Sequence, residues 1–334
     1  MTHPIVGIGE LLWDVYPDGR KVAGGAPFNF AFHCHQLGHP AVIVSRVGAD
    51  ELGRELRERV RELGLTDEYI QTDHDHPTGT VQVTLDAHAV PTYTITENVA
   101  WDFIEWDERL ADLASRYRAV CFGTLALRTP QQLGRGPQRR AGTIEQFVAA
   151  PNAFNPPRGF DPLKREDWSG RVETTPMRIA DINLRPPHVS DRATEWATVH
   201  AWWVKMSADE VRELARDWGD PPHPVTPRAY YQACWWEASD PNQVLIVTDG
   251  PNGVTVVQGK DEFHEPGVPA EVVDTVGAGD SFTAAMVCLH LEGRPLRECA
   301  RFAVHYAARV CEQPGGTPRI DRREVERAAF GSGP

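Results

Sequence analysis

Short apolar runs alternate along this chain with stretches whose apolar positions recur at a helical period. The runs at 4–10 (PIVGIGE), 41–48 (AVIVSRVG), 117–127 (YRAVCFGTLAL), 177–185 (MRIADINLR), 201–207 (AWWVKMS) and 244–250 (VLIVTDG) read as strands. Between them, 50–64 puts Leu52, Leu56, Val60 and Leu63 on one stripe and fills the remainder with Arg and Glu, as a helix lying on a core does. The segments 208–218 and 296–311 repeat that period. Strand and helix in alternation predict an α/β fold, with helices on both faces of a sheet.

One region breaks the alternation. Residues 79–98 show strand-like patterning twice with no helix between, which predicts an antiparallel piece set apart from the main sheet. Two Pro-rich, aperiodic segments, 151–176 and 219–242, read as surface insertions. The aromatic cluster of the second implies packing against something.

Composition narrows the classes. A chain of 334 residues with 41% hydrophobic and 24% charged content can bury a large core. The net charge of -13 argues against nucleic acid as a partner, but not against a small anion held by local N–H groups or a metal. The six cysteines show no C-x-x-C pairing and sit mostly in apolar runs, so buried free thiols in a reducing compartment are expected. No secretory pattern opens the sequence and no apolar run is long enough to span a bilayer, so a cytoplasmic protein without a membrane partner is expected. His33, His35, His74 and His76 lack the spacing of a zinc site.

Candidate chemistry concentrates in VVDTVGAGDSF, residues 272–282. Strand, glycine turn and helix N-terminus together make an anion site, because unpaired N–H groups point outward at the positive end of the dipole. No Walker lysine follows, and GIGELL at 7–12 has Leu12 where a dinucleotide fingerprint needs its third glycine. Asp280 reads equally as a first-turn carboxylate or as a base aimed at a hydroxyl. Its place at a helix N-terminus predicts a weak base. Loose phosphoryl-transfer transition states tolerate that.

The stretch DTVGAGDSF closely resembles the C-terminal signature of the ribokinase-like, PfkB-type carbohydrate kinases. GGAPFNFAFHCHQLG (24–38) with VSRVGADELGREL (44–56) resembles the other signature of that family, and the GGAPFN variant looks most like bacterial fructokinases. GTLALR (123–128), DINLR (181–185) and VTDGPNG (247–253) follow in the family's order. The resemblance covers nearly the whole chain apart from the two insertions. It implies a ribokinase-like fold: one α/β domain over 1–330, with a Rossmann-like, mostly parallel sheet and a small β lid from about 11–24 and 79–98. It also implies ATP-dependent phosphorylation of a sugar hydroxyl with Mg²⁺, K⁺ as a candidate activator, and a homodimer through the lid as one arrangement. By motif match Asp280 is the catalytic base, and Gly277, Ala278 and Gly279 form the anion hole. Asp14, Gly24, Gly25 and Asn29 contact the sugar, and Thr248, Gly250 and Gly253 lie along the nucleotide. The helix 302–310 and the loop 312–318 flank the adenine and a monovalent-cation loop. Asp274 either anchors the turn or lends its carbonyl to that cation. Arg185 either reaches phosphate or sugar, or makes a strand-end salt bridge.

One departure stands out. The family's N-x-x-E reads here as S-x-x-E, with Ser207 for the Asn and Glu210 retained. That is also a helix capping box, which leaves Glu210 an outer-shell role toward Mg²⁺ through water. The expected activity is that of a fructokinase. The alternatives are a kinase for another acceptor, such as a keto-deoxy sugar acid, ribose or a nucleoside, and a sugar- or nucleotide-binding relative without turnover.

Overall fold

The computed structural model describes residues 3–85, 91–129, 132, 134, 142–150, 176–216, 225–234 and 243–331. Strands β1 (Ile5–Ile8), β4 (Ala41–Gly48), β5 (Ile70–Asp73), β8 (Ala119–Gly123), β9 (Met177–Asp181), β10 (Trp203–Ser207), β11 (Val244–Thr248), β12 (Val254–Gln258) and β13 (Asp261–Glu265) make one sheet. Its order is β13-β12-β11-β10-β9-β8-β1-β4-β5. Every pair is parallel except β11–β12 and β12–β13, a terminal antiparallel meander.

Successive strand residues face opposite sides, and this divides the core in two. Ile5, Ile43, Cys121, Ile179 and Ile246 pack with Phe28, Phe32, Met286 and Phe302. These last come from α1 (Ala26–Gln36), α8 (Ala278–Leu291) and α9 (Leu296–Cys311). Val6, Val44, Phe122, Ala180, Val204 and Leu245 face the other way, onto Leu113, Phe147, Trp196, Val211 and Tyr231. Those side chains belong to α3 (Glu108–Ala114), α4 (Thr143–Ala149), α5 (Asp191–His200), α6 (Ala208–Leu214) and α7 (Pro227–Cys234). The amphipathic α2 (Glu51–Glu62) buries Leu56 and Val60 on the first side, where α10 (Arg322–Phe330) also packs.

A second sheet, of order β3-β2-β6-β7, stands apart. It joins β2 (Leu12–Val15) and β3 (Lys21–Gly24) to the hairpin β6 (Gly79–Leu85) and β7 (Pro91–Ile95). Both hairpins are antiparallel, while β2 meets β6 in parallel. Its own small core of Leu12, Val81 and Ile95 closes on Trp101 and Leu125.

Several sequence-based boundaries shift. The run 4–10 stops at Ile8, where Gly9 (φ 144) turns the chain toward the second sheet. The run 117–127 leaves the sheet after Gly123 and tightens into a 3-10 turn at Leu125–Leu127. Within 219–242, residues 227–234 form a helix with Tyr230 and Tyr231 buried against β11 and β12, so this part is no surface loop. The aromatic residues gave the sign. Residues 151–175, 219–224 and 235–242 lie outside the described residues. The six cysteines are free, and Cys34, Cys121, Cys288 and Cys299 are buried. No helix among the described residues is long and apolar enough to cross a membrane.

Candidate active site

The carboxyl ends of the parallel strands define where a ligand sits in such a sheet. Here Gly123 and Asp181 end β8 and β9 in register, and Lys205 of β10 pairs beside Asp181, two residues before that strand ends. The N-terminus of α8 points into the same place. Gly277 caps it in the left-handed region (φ 76), with no side chain capping the helix. A Cβ at Gly277 would lie 2.6 Å from the Gly316 Cα, so backbone meets backbone there. Asp274 fastens the turn: its Oδ1 accepts from Val276 N at 3.0 Å and its Oδ2 from Gly315 N at 2.9 Å. The side chain thus anchors the turn to the 312–318 loop. His33 holds that loop from behind, its Nε2 3.0 Å from the Gly316 carbonyl and its Nδ1 3.0 Å from the Tyr306 hydroxyl. Burial pushes the imidazole down to about 4, so it is neutral.

Asp280 lies in the first turn of α8 but bonds away from it. Asn29 Nδ2 donates to Asp280 Oδ2 at 2.8 Å. Burial, and then the charge of Asp181, push Asp280 up to about 6; the Asn29 bond, Lys205 and Arg185 pull the other way. The expectation of a weak base is therefore reversed. Removal from water and a like charge outweigh the helix terminus.

On one side of Asp280 lies a cleft of about 700 Å³. Thr248, Gly250 and Gly253 line it together with Ala278 and Gly279. Its far wall comes from Val268, Phe282, Val304 and Ala307. Helix 302–310 and the 247–253 loop thus share one apolar slot with the glycine turn. Gly253 (φ 101) permits this: a Cβ there would lie 2.1 Å from the Glu265 carbonyl oxygen.

On the other side stand the residues of the second sheet and α1. Asp14 reaches across its hairpin, so that a Cβ at Gly24 would sit 2.7 Å from Asp14 Oδ2. Gly25 (φ 116) opens α1, and Asn29 follows one turn later. Burial, and then Asp274, push Asp14 up to about 6, while Arg185 opposes them. The exposed Arg185 donates to the Leu184 carbonyl at 2.8 Å, and its charge bears on Asp14, Asp280 and Glu10.

Glu210 does not stand free. Its Oε2 accepts from Ser207 N at 2.7 Å while Ser207 Oγ accepts from Glu210 N, which completes the capping box. Its Oε1 accepts from Leu184 N at 2.6 Å and so ties α6 to the chain after β9.

Four buried polar residues were not singled out in the sequence. Lys205 donates to Asp181 Oδ1 at 3.0 Å, and Thr283 Oγ1 donates to Asp181 Oδ2 at 3.1 Å. Glu10 accepts from Ala26 N and keeps a buried Oε2 with no hydrogen-bond partner. Lys205, Asp181 and Glu10 each interrupt or close an otherwise apolar strand run, the one signal that marks them; Thr283 carries none.

The cleft, the glycine turn and Asp280 thus stand together at the strand ends of a mostly parallel sheet, beside a separate small sheet, and the family match makes the chain a sugar kinase. The chain belongs to the pfkB family of carbohydrate kinases, whose model matches residues 16–131 and 171–322. It is 28% identical over 293 residues to a fructokinase of Klebsiella pneumoniae, covering 86% of this chain and 84% of that one. Among solved structures it is similar to an Arabidopsis thaliana ribokinase complexed with ribose and ATP (21% identity, 99% of each chain, TM-score 0.74). It is also similar to a double-mutant Vibrio cholerae fructokinase in a form with fructose, ADP and potassium ion (18% identity, 98% of each chain, TM-score 0.72). The fold is that of the ribokinase-like sugar kinases.

Proposed function

We propose that this protein transfers a phosphoryl group from ATP to a hydroxyl of a neutral hexose, with fructose as the acceptor. The observation that carries the reading is the position of Asp280, with an apolar cleft lined by its neighbours Ala278 and Gly279 on one side and its hydrogen-bond partner Asn29 of α1 on the other. The cleft has the size and apolar walls that a nucleoside needs. Within the 277–279 turn the Ala278 N–H donates to the Thr275 carbonyl, and the N–H groups of Gly277 and Gly279 suit the charge that develops on a transferring phosphoryl. Asp280, poised near pH 6, accepts the hydroxyl proton as the new O–P bond forms. Asp14 accepts hydrogen bonds from other sugar hydroxyls, and Asn29 orients Asp280. The small sheet closes over the sugar as a lid and excludes water.

Among the described residues no three His, Cys, Asp or Glu side chains group to hold a metal. The nucleotide phosphates would hold Mg²⁺, which would neutralise their charge. Glu210 spends both oxygens on backbone N–H groups, so it positions the 181–185 segment and reaches Mg²⁺ only through water. A K⁺ activator would be held at the 312–318 loop, to which the Asp274 carbonyl could contribute.

The strongest competing acceptor is a keto-deoxy sugar acid, because Arg185 supplies a cation beside the pocket. Asp14, Glu10 and Asp280 already share the charge of Arg185, and this favours a neutral sugar. The test is an acceptor panel of fructose, other hexoses, ribose, nucleosides and a keto-deoxy sugar acid, with ATP and Mg²⁺, run with and without K⁺. Turnover highest with the acid, or sugar and nucleotide binding without any product, overturns the reading.

A further inference from the structure

Lys205 stands where no lysine is needed for packing. Its side chain is buried, and its Nζ makes one hydrogen bond, to Asp181, of the three it can donate. It ends against the backbone of the α8 N-terminus: a Cβ at Gly279 would lie 2.7 Å from Nζ. A helix N-terminus carries positive partial charge, so a buried ammonium there is repelled. Asp181 balances Lys205, and Thr283, whose single hydroxyl proton is shared between Asp181 Oδ2 and the Gly279 carbonyl, steadies Asp181. The result is a fixed cation against the turn whose Ala278 and Gly279 line the cleft.

We propose that Lys205 is a further catalytic residue. Its ammonium donates to the phosphoryl oxygen that lodges at the Gly279 N–H, with Asp181 and Thr283 as positioning residues. This rests on the kinase reading above. In the step it serves, the acceptor oxygen bonds to phosphorus, the bond from phosphorus to the leaving diphosphate oxygen breaks, and the hydroxyl proton goes to Asp280. Lys205 gives up no proton; it holds charge on the transferring group. Gly279 is required because any side chain would drive Nζ from this position.

The competing explanation is a buried ion pair that only joins β9 to β10. Two variants separate the two: Lys205→Met, and Lys205→Met with Asp181→Asn, which leaves no unpaired buried charge and keeps the fold testable. Calorimetry with β,γ-imido ATP and with ADP is the readout. A charge-assisted hydrogen bond to the terminal phosphate predicts about a tenfold or larger loss of affinity for the triphosphate analogue, with ADP affinity nearly unchanged. Turnover should fall by roughly a hundredfold or more in both variants. Equal losses for the two nucleotides, or wild-type turnover in the folded double variant, overturn the role of Lys205 alone. A wild-type protein that binds neither nucleotide overturns this proposal and the kinase reading together.

Discussion

Asn29 and Asp280, 251 residues apart in sequence, are joined by a 2.8 Å hydrogen bond from amide to carboxylate. The bond crosses from α1 to α8 and sets the direction in which Asp280 faces. Its partner atom, Asn29 Oδ1, is buried with no hydrogen bond. The amide is wedged by Gly316, where a Cβ would lie 2.7 Å from Asn29 Nδ2. A hydrogen bond to an ionised group contributes about 1.5–3 kcal/mol to the charged form. It thus counters part of the burial that raises Asp280.

The first prediction concerns that balance. With Asp280 at about 6, kcat/KM should fall roughly tenfold per pH unit below that value and level off above it. Asn29→Ala removes a bond to the charged form, so the midpoint should move to higher pH. Asp280→Asn should lose about 10²- to 10⁴-fold in kcat and the acidic limb with it. Undiminished turnover in Asp280→Asn would refute the assignment of the base; an acidic limb left in its residual rate would report Asp14, which is also raised to about 6.

How much of this was legible beforehand follows from what each feature rests on. The α/β class came from period alone, because β1, β4, β8, β9, β10 and β11 are apolar on both faces. The strand ends misplaced after Ile8 and Gly123 depend on a glycine dihedral and on a tertiary exit from the sheet. The edge strand β13 is polar, DEFHE, and was missed, as was its neighbour β12, VTVVQ, a short run directly behind the 247–253 turn. At the site, the glycine turn and Asp280 are local in sequence and were found. The Lys205–Asp181–Thr283 group is assembled from three elements, up to 102 residues apart, and no local pattern encodes it. The basicity of Asp280 went wrong for the same reason: the helix terminus is visible in sequence, while burial and the charge of Asp181 are not.

A second prediction isolates the contact between the two glycine-rich loops. Gly277 and Gly19 have similar dihedrals, φ 76 and φ 82, so Ala at either costs about 1–2 kcal/mol of backbone strain. Only at Gly277 does the added Cβ strike backbone, at Gly316; at Gly19 nothing lies within 4 Å. Gly277→Ala should lower Tm by several degrees more than Gly19→Ala and cut turnover by tenfold or more. Thermal melts and assays of both variants measure the difference, and equal effects would remove the contact from the argument.

A third concerns how the small sheet is tethered. Arg128 pairs with Asp102 through two bonds of 2.7 Å, donates to the Thr96 carbonyl just beyond β7 at 2.9 Å, and lies over the Trp101 ring. Both side chains are nearly inaccessible, at 7% and 1%. Arg128→Met strands the Asp102 carboxylate, a change that costs about 3–5 kcal/mol in buried pairs. The loss should be local first. Amide exchange should speed up in β6 and β7 before β1 and β8, and uniform acceleration across both sheets would show that Arg128 is not the tether.

The last prediction follows Glu10, which is 2% exposed and raised to about 7 chiefly by burial. Its ordinary value in the unfolded chain is about 4.5. Between these two values the unfolded chain has released the proton and the native protein still holds it. The native state then binds more protons, so this group's contribution to stability falls as pH rises through that window. Below about 4.5 both states are protonated, and above about 7 both are ionised, so the contribution is flat on either side. The full change is on the order of 3 kcal/mol. Asp14 and Asp280 slope in the same direction, whereas Asp50, Asp73 and Glu292, all lowered, slope in the opposite one. The informative quantity is therefore a difference between proteins. Glu10→Gln keeps an acceptor for Ala26 N and cannot ionise. In urea unfolding of the ligand-free enzyme, its stability minus that of wild type should be near zero at pH 4.5 and should grow to about 3 kcal/mol by pH 8. A difference that does not change across that range would mean that Glu10 ionises as freely in the folded protein as in water.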